Sequence, residues 1–161
     1  MKVLWAPWRI KYITGDKEEG CIFCKKPKEG NDKENLILYT GETSFIIMNR
    51  YPYSNGHLMT VPYKHTNNFS DLTQDERLDL MNLTAKCLDI LQVIKPEGFN
   101  IGMNLGRTGG AGIDDHLHFH IVPRWSGDNN FMPVIGDVRV MPEYLEETYE
   151  TLRKHLKSLE R

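Results

Sequence analysis

The sequence predicts an α+β domain, and three observations carry that prediction. Short apolar runs, "LILYTG", "TSFIIMN" and "HLMTVPY", follow one another between turn signals, which is the pattern of an antiparallel meander. One long stretch, "FSDLTQDERLDLMNLTAKCLDILQVIKPEG", has helical periodicity. In "DHLHFHIVPRW", an extended chain puts His116, His118 and His120 on one side and Leu117, Phe119 and Ile121 on the other. Strands with a few helices outside strict βαβ alternation give α+β, and 161 residues suit a single domain, 1–161, with a proper core.

Each element follows from its residues. Residues 1–20 form an N-terminal arm, because "LWAPWRIKYI" is aromatic, basic and interrupted by proline; Trp5 and Trp8 then cover the domain or a second subunit. "KKPKEGNDKEN" reads as a charged surface loop. In the long helix Thr73 and Glu76 make a capping box, and Leu80, Leu83, Cys87, Leu91 and Ile94 recur at helical spacing until Lys95, Pro96 and Gly98 end it. "FNIGMNLG" is a further strand, "RTGGAGIDD" a glycine-rich loop and "HLHFHIV" the histidine strand. A C-terminal helix spans 142–160, with Pro142 in its first turn, a stripe of Leu145, Tyr149, Leu152 and Leu156, and basic residues towards its end.

Composition narrows the function. A formal charge of -2 gives no global reason to expect nucleic acid or an anionic membrane as partner. No apolar run is long enough to cross a bilayer, and the opening residues lack the features of a secretory signal, so a cytoplasmic protein is expected. Three cysteines make a poor disulfide framework; the close pair Cys21 and Cys24 instead points to metal or redox chemistry, and Cys87 reads as a buried small hydrophobe.

The histidine segment carries the chemistry. Positions 116 and 120 of a straight strand stand roughly 13 Å apart, so one metal ion cannot take all three rings. His118 can face a phosphate with His120 beside it, and His116 is left for another role. Imidazole is neutral and nucleophilic near neutral pH, which suits phosphoryl or nucleotidyl transfer, and a protonated neighbour can neutralise the leaving oxygen. Upstream, "NLGRTGGAG" can bring backbone N–H groups to phosphate oxygens, or can simply connect two strands. It is neither a Walker motif nor a dinucleotide fingerprint.

From "CIFC" through "NRYPYSNGHLMTVPYKH" to "HLHFHIVPRW", the chain resembles the histidine triad superfamily of nucleotide hydrolases and transferases. "LWAPWRIKYI" and "AGIDDHLHFHIVPRWSGDNNFMPVIG" are most similar to the branch of diadenosine tetraphosphate phosphorylases and related hydrolases. The resemblance implies an antiparallel sheet of about five strands with one long helix and a C-terminal helix, paired with a second subunit's sheet in a homodimer. It implies a covalent nucleotidyl-histidine, with His118 as nucleophile, His120 assisting at the phosphate or leaving group, and His57 of "NGHLMTVP" beside them. Asn104 would stand near the phosphate and Gly106 and Gly112 would shape its cradle. Many phosphoramidase members carry Gln-Ser or Gln-Thr where this chain has Gly112 and Ile113; that leaves Thr108, Arg107 or backbone N–H groups to meet the phosphate and favours polyphosphate cleavage.

The resemblance also implies a structural zinc site of Cys21, Cys24, His65 and His116, with no organic cofactor. Ile47, Asn49 and Pro52 are candidates for the base or ribose, and Arg124, Trp125 and Asn129 for a polyphosphate or second nucleoside. The expected function is cleavage of dinucleoside polyphosphates by water or phosphate, with no stable nucleic acid or membrane partner. The alternatives are a nucleoside phosphoramidase, a nucleotide-binding interaction module with little catalysis, or a metal-binding scaffold.

Overall fold

The computed structural model describes residues 20–128 and 140–160. Most of the expected N-terminal arm, including Trp5 and Trp8, lies outside the described residues, as does Asn129. The five strands are β1 (Ile37–Thr40), β2 (Ser44–Met48), β3 (Leu58–Pro62), β4 (Gly98–Met103) and β5 (Phe119–Arg124). They form one sheet in the order β1-β2-β3-β5-β4, every neighbouring pair antiparallel. Of the helices, α1 (Ile22–Lys25) and α2 (Asp32–Asn35) are single turns, α3 (Gln74–Leu91) is the long one and α4 (Leu145–Leu159) is C-terminal. No described helix is long and apolar enough to cross a membrane.

The long helix begins as its sequence dictates. The Glu76 N–H donates to Thr73 Oγ1 at 3.2 Å and the Thr73 N–H to Glu76 Oε2 at 2.7 Å, so two otherwise orphaned donors are satisfied at once. A 3-10 turn (Gln92–Ile94) and left-handed Lys95 end it. Cys87 is fully buried, and burial pushes its thiol up, as befits a small core residue.

Both helices lie on one face of the sheet. Leu83, Cys87, Ile90 and Leu91 of α3 and Tyr149, Leu152 and Leu156 of α4 pack with Leu38, Ile46, Met48, Leu58 and Ile121. α4 starts at Leu145 rather than at Pro142, because extended Tyr144 is its N-cap. It also closes the β1 edge: the register slips between Ile37 and Tyr39, and the carbonyls of Ile37 and Leu38 accept from Tyr149 Oη and the Arg153 guanidinium. The other edge, β4, is partly exposed, with Ile101 45% accessible.

The opposite face carries the histidines. Phe23 packs there with Ile37, Phe45, Ile47, Met59 and Val61. "KKPKEGNDKEN" is not a plain loop: a 3-10 turn (Lys26–Lys28) and α2 order it, and the buried Asn35 amide donates to Glu29 Oε2 at 2.7 Å and to the Lys26 carbonyl at 3.3 Å. Each piece is one turn long, too short to leave a periodic signal.

Candidate active site

The histidine strand is shorter than the alternating sequence suggests. β5 begins at Phe119, paired with Thr60 and Met103, so His116 and His118 precede the ladder. Two causes are visible. β4 ends at Met103, where the glycine loop departs, and Pro62 at the end of β3 has no N–H to donate. The segment bonds irregularly instead: the Leu117 N–H donates to the Thr66 carbonyl at 2.8 Å, and His116 Nε2–H donates to the Pro62 carbonyl at 2.8 Å.

That last bond fixes the His116 tautomer. A carbonyl can only accept, so Nε2 carries the proton and Nδ1 keeps its lone pair. His116 Nδ1 lies 3.2 Å from Cys21 Sγ, 3.6 Å from Cys24 Sγ and 3.2 Å from His65 Nδ1, and Cys24 Sγ lies 3.4 Å from His65 Nδ1. One donor atom from each of the four residues falls within 4.8 Å of the others. Two sulfurs and two imidazole nitrogens converging in this way fit a tetrahedral structural metal centre. The Pro62 carbonyl is the outer partner that orients His116, and the Asp115 carboxylate stands 3.9 Å from His65 Nε2.

His118 uses the opposite nitrogen. Its Nδ1–H donates to the His116 backbone carbonyl at 2.8 Å, which leaves the lone pair on Nε2. Burial lowers its pKa, with the carbonyl bond opposing, so the ring is neutral and nucleophilic near pH 7. The His120 ring centroid is 4.8 Å away, and beyond it His57 Nε2 meets His120 Nδ1 at 3.0 Å.

Backbone and amide groups set the tautomers of this pair too. Asn49 Oδ1 accepts from the Tyr51 N–H at 2.9 Å, which turns Nδ2 towards His57 Nδ1 at 3.3 Å. The Tyr53 N–H also donates to His57 Nδ1, at 3.1 Å. With Nδ1 accepting, neutral His57 is protonated at Nε2 and donates to His120 Nδ1, so His120 presents Nε2–H. Burial first, then the neighbouring His118 ring, pushes the His120 pKa down to about 4. His120 is therefore a neutral donor rather than the protonated imidazole the sequence suggests; removal from water disfavours its charged form.

Register places the other candidates. Ile37, Ile47, Met59, His120 and Gly102 are successive cross-strand partners, so Ile47 shares a sheet face with His120. Pro52 stands between Tyr51 and Tyr53, and the Tyr53 ring packs 4.7 Å from His57 and 5.6 Å from His120. Tyr53 has no periodic or motif signal in the sequence; it meets His57 through both its N–H and its ring.

The glycine loop folds on itself. The N–H groups of Gly109 and Ala111 donate to the Gly106 carbonyl and that of Gly110 to the Arg107 carbonyl, while Asn104 Nδ2 donates to the Gly110 carbonyl at 3.4 Å. A Cβ at Gly109 would meet the Leu105 carbonyl oxygen at 2.4 Å, so this turn needs glycine there. Thr108 is exposed, Gly112 faces open space, and Arg107 Nε donates to Asp114 at 2.8 Å. Ile113 packs on the Phe23 cluster and returns the chain to the histidine face.

Arg124 and Trp125 stand at the other end of β5, roughly 13 Å along the strand from His120. Arg124 donates to both Asp128 carboxylate oxygens, at 2.6 and 2.9 Å, and to Asn100 Oδ1; Trp125 Nε1–H donates to the Lys95 carbonyl.

The antiparallel sheet, the helix layer and the histidine-lined face define a histidine triad protein. Residues 31–127 match the HIT domain, and the chain belongs to that family. A relative from Mycobacterium tuberculosis, an AP-4-A phosphorylase, is 37% identical over 159 residues, covering 92% of this chain and 81% of that protein. A structure of a zinc-bound histidine triad family protein from Mycobacterium smegmatis superposes with a TM-score of 0.70 at 24% identity, covering 88% of this chain and 96% of that one. A hypothetical histidine triad nucleotide-binding protein from Sulfolobus tokodaii also gives a TM-score of 0.70, at 27% identity, covering 88% and 95%.

Proposed function

We propose that this protein cleaves dinucleoside polyphosphates through a nucleotidyl intermediate on His118. The observation that carries this reading is the His118 Nδ1–H bond to the His116 carbonyl, which leaves Nε2 with its lone pair. Nε2 attacks the α-phosphorus; the P–N bond forms as the bond to the bridging oxygen breaks, and the remaining polyphosphate departs as an anion. The new cationic ring is stabilised by its own Nδ1–H···O=C bond. His120 Nε2–H donates a hydrogen bond to the phosphate or the departing oxygen, held in that tautomer by His57, Asn49 and the Tyr53 N–H. Water or inorganic phosphate then attacks phosphorus and restores His118.

The state of His120 bears on the leaving group. A polyphosphate leaves as an anion and needs only a hydrogen bond, whereas the amine of a phosphoramidate needs a full proton. His120, held in the tautomer that presents Nε2–H, supplies such a hydrogen bond, which suits an anhydride. The similarity to an AP-4-A phosphorylase supports the same choice.

In this reading the donor cluster holds zinc, whose role is structural: Cys21 and Cys24 tie the N-terminal turn to His65 and His116. Ile47 lines the base slot, Asn49 and Pro52 border it, and Asn104, Gly106, Thr108 and Gly112 border the phosphates. Arg107 meets the phosphate or leaving group from the glycine loop, and Arg124 and Trp125, at the other end of β5, meet the polyphosphate or second nucleoside; each arginine exchanges its aspartate partner for phosphate. The chain acts as one domain, and the partly exposed β4 edge supports a homodimer with paired sheets. A reducing, cytoplasmic setting keeps the two cysteines available to the metal.

The test is an anion-exchange product assay on diadenosine tetraphosphate with and without inorganic phosphate. ADP plus ATP formed only with phosphate identifies a phosphorylase, and AMP plus ATP without it a hydrolase. Turnover of adenosine phosphoramidate alone would overturn the proposal.

A further inference from the structure

Phe23 links the donor cluster to His118. It lies between Cys21 and Cys24 on the single turn α1 and is 1% exposed. Its ring centroid is 5.4 Å from that of His116 at an interplanar angle of 70°, and 5.1 Å from that of His118 at 46°. One buried aromatic side chain thus touches a member of the four-donor cluster and the imidazole whose Nε2 keeps its lone pair. A second link is the backbone: His118 Nδ1–H ends on the carbonyl of His116, whose ring belongs to the cluster.

These links carry weight because residues 116–118 precede β5. Their placement rests on separate contacts: the Leu117 N–H on Thr66, the His116 ring on Pro62 and the His118 ring on the His116 carbonyl. Phe23 supplies the packing surface beneath the two rings, and its position follows from that of the Cys21–Cys24 turn. Without a cation the cluster is joined only by weak contacts between the Cys21 and Cys24 thiols and the Nδ1 atoms of His116 and His65, whereas four metal bonds hold it firmly, so occupancy decides how firmly that turn is seated.

We infer that Phe23 is a positioning residue for His118, through which metal occupancy controls the aim of the nucleophile. Seated, the Phe23 ring leaves His118 the rotamer whose Nδ1–H reaches the His116 carbonyl, and Nε2 faces the substrate. Released, it lets the His118 ring turn, the tautomer is no longer fixed, and Nε2 loses its direction. This rests on the nucleotidyl-transfer reading for its kinetic consequence, though not for its structural one.

The experiment is a four-cornered comparison of wild type and Phe23→Ala, each loaded with Zn(II) and after chelation. It has two readouts: the ring-nitrogen NMR spectrum of His118, and the rate at which diadenosine tetraphosphate labels the protein. Chelation of the wild type is expected to replace the single Nδ1–H tautomer by a mixture and to slow labelling about 10–100-fold, the range typical of outer-shell partners. Zinc-loaded Phe23→Ala is expected to retain about one metal ion per chain, to show the same tautomer mixture, and to label as slowly. Its chelation should then add less than about threefold, because the coupling is already broken. An unchanged His118 spectrum on chelating the wild type would overturn the inference, as would equal slowing of both proteins by chelation. If Phe23→Ala loses its circular-dichroism signature, the same cycle on Phe23→Leu decides. Absence of label from zinc-loaded wild type would overturn the nucleotidyl-transfer reading instead, and the spectra would still settle the role of Phe23.

Discussion

His116 and His118 each donate one ring N–H to a backbone carbonyl at 2.8 Å, yet they use different nitrogens. His116 gives Nε2–H to Pro62 and keeps Nδ1 for the cluster with Cys21, Cys24 and His65. His118 gives Nδ1–H to His116 and keeps Nε2. Both are buried, and burial lowers both pKa values, so neither burial nor charge separates them. What separates them is which carbonyl lies within reach of which nitrogen. In this segment the backbone leaves Nδ1 available on one imidazole and Nε2 on the other, which suits the first to metal binding and the second to group transfer.

Removing one ring at a time separates the two histidines. His118→Ala should lower turnover of diadenosine tetraphosphate by at least about 10³-fold, as loss of a nucleophile does, while metal content stays at the wild-type level. Equal loss of metal would show that the two roles are not separate. His116→Ala should do the reverse, weakening zinc in a competition titration against a chromophoric chelator by more than about 100-fold, beyond the effect of losing an outer-shell partner. Its turnover should exceed that of His118→Ala.

Smaller effects test how the tautomers are held. His57→Phe removes the donor to His120 Nδ1, and kcat should fall about tenfold with little change in metal content. A fall in kcat/KM carried wholly by KM would assign His57 to substrate binding instead. The smallest expected effect is on stability. Burial and the His118 ring depress His120 from an ordinary value of 6.5 to about 4, so between these values the unfolded chain binds more protons than the folded one. The stability this ring lends is therefore full above about pH 6.5 and is lost as the pH falls towards about 4. The denaturant midpoint of His120→Asn should drop less than that of wild type between about pH 7 and about pH 5, and equal drops would place the proton uptake elsewhere.

The parts of the molecule that were legible in the sequence are those decided locally. Thr73 and Glu76 announce the start of the long helix because the capping box lies within four residues of chain. The meander strands and the C-terminal stripe follow from periodicity, and "HLHFHIVPRW" carries the family resemblance. The start of β5 was not legible, because alternation describes any extended chain, while pairing depends on β4 ending at Met103 and on Pro62 lacking an N–H. The choice of ring nitrogen was hidden for the same reason: it depends on carbonyls of Pro62 and His116 brought close by folding. Phe23 left only a faint trace, an aromatic residue inside a CxxC turn.

Nucleotidyl transfer by this site requires a covalent bond between His118 Nε2 and phosphorus during turnover. The most direct measurement is rapid quenching of zinc-loaded protein with diadenosine tetraphosphate, followed by peptide mapping and phosphorus NMR of the trapped species. One adenylyl group is expected on the peptide containing His118, attached through Nε2, formed and lost at rates compatible with turnover, and absent from His118→Ala. Turnover without any such adduct, or an adduct on another residue, would contradict it.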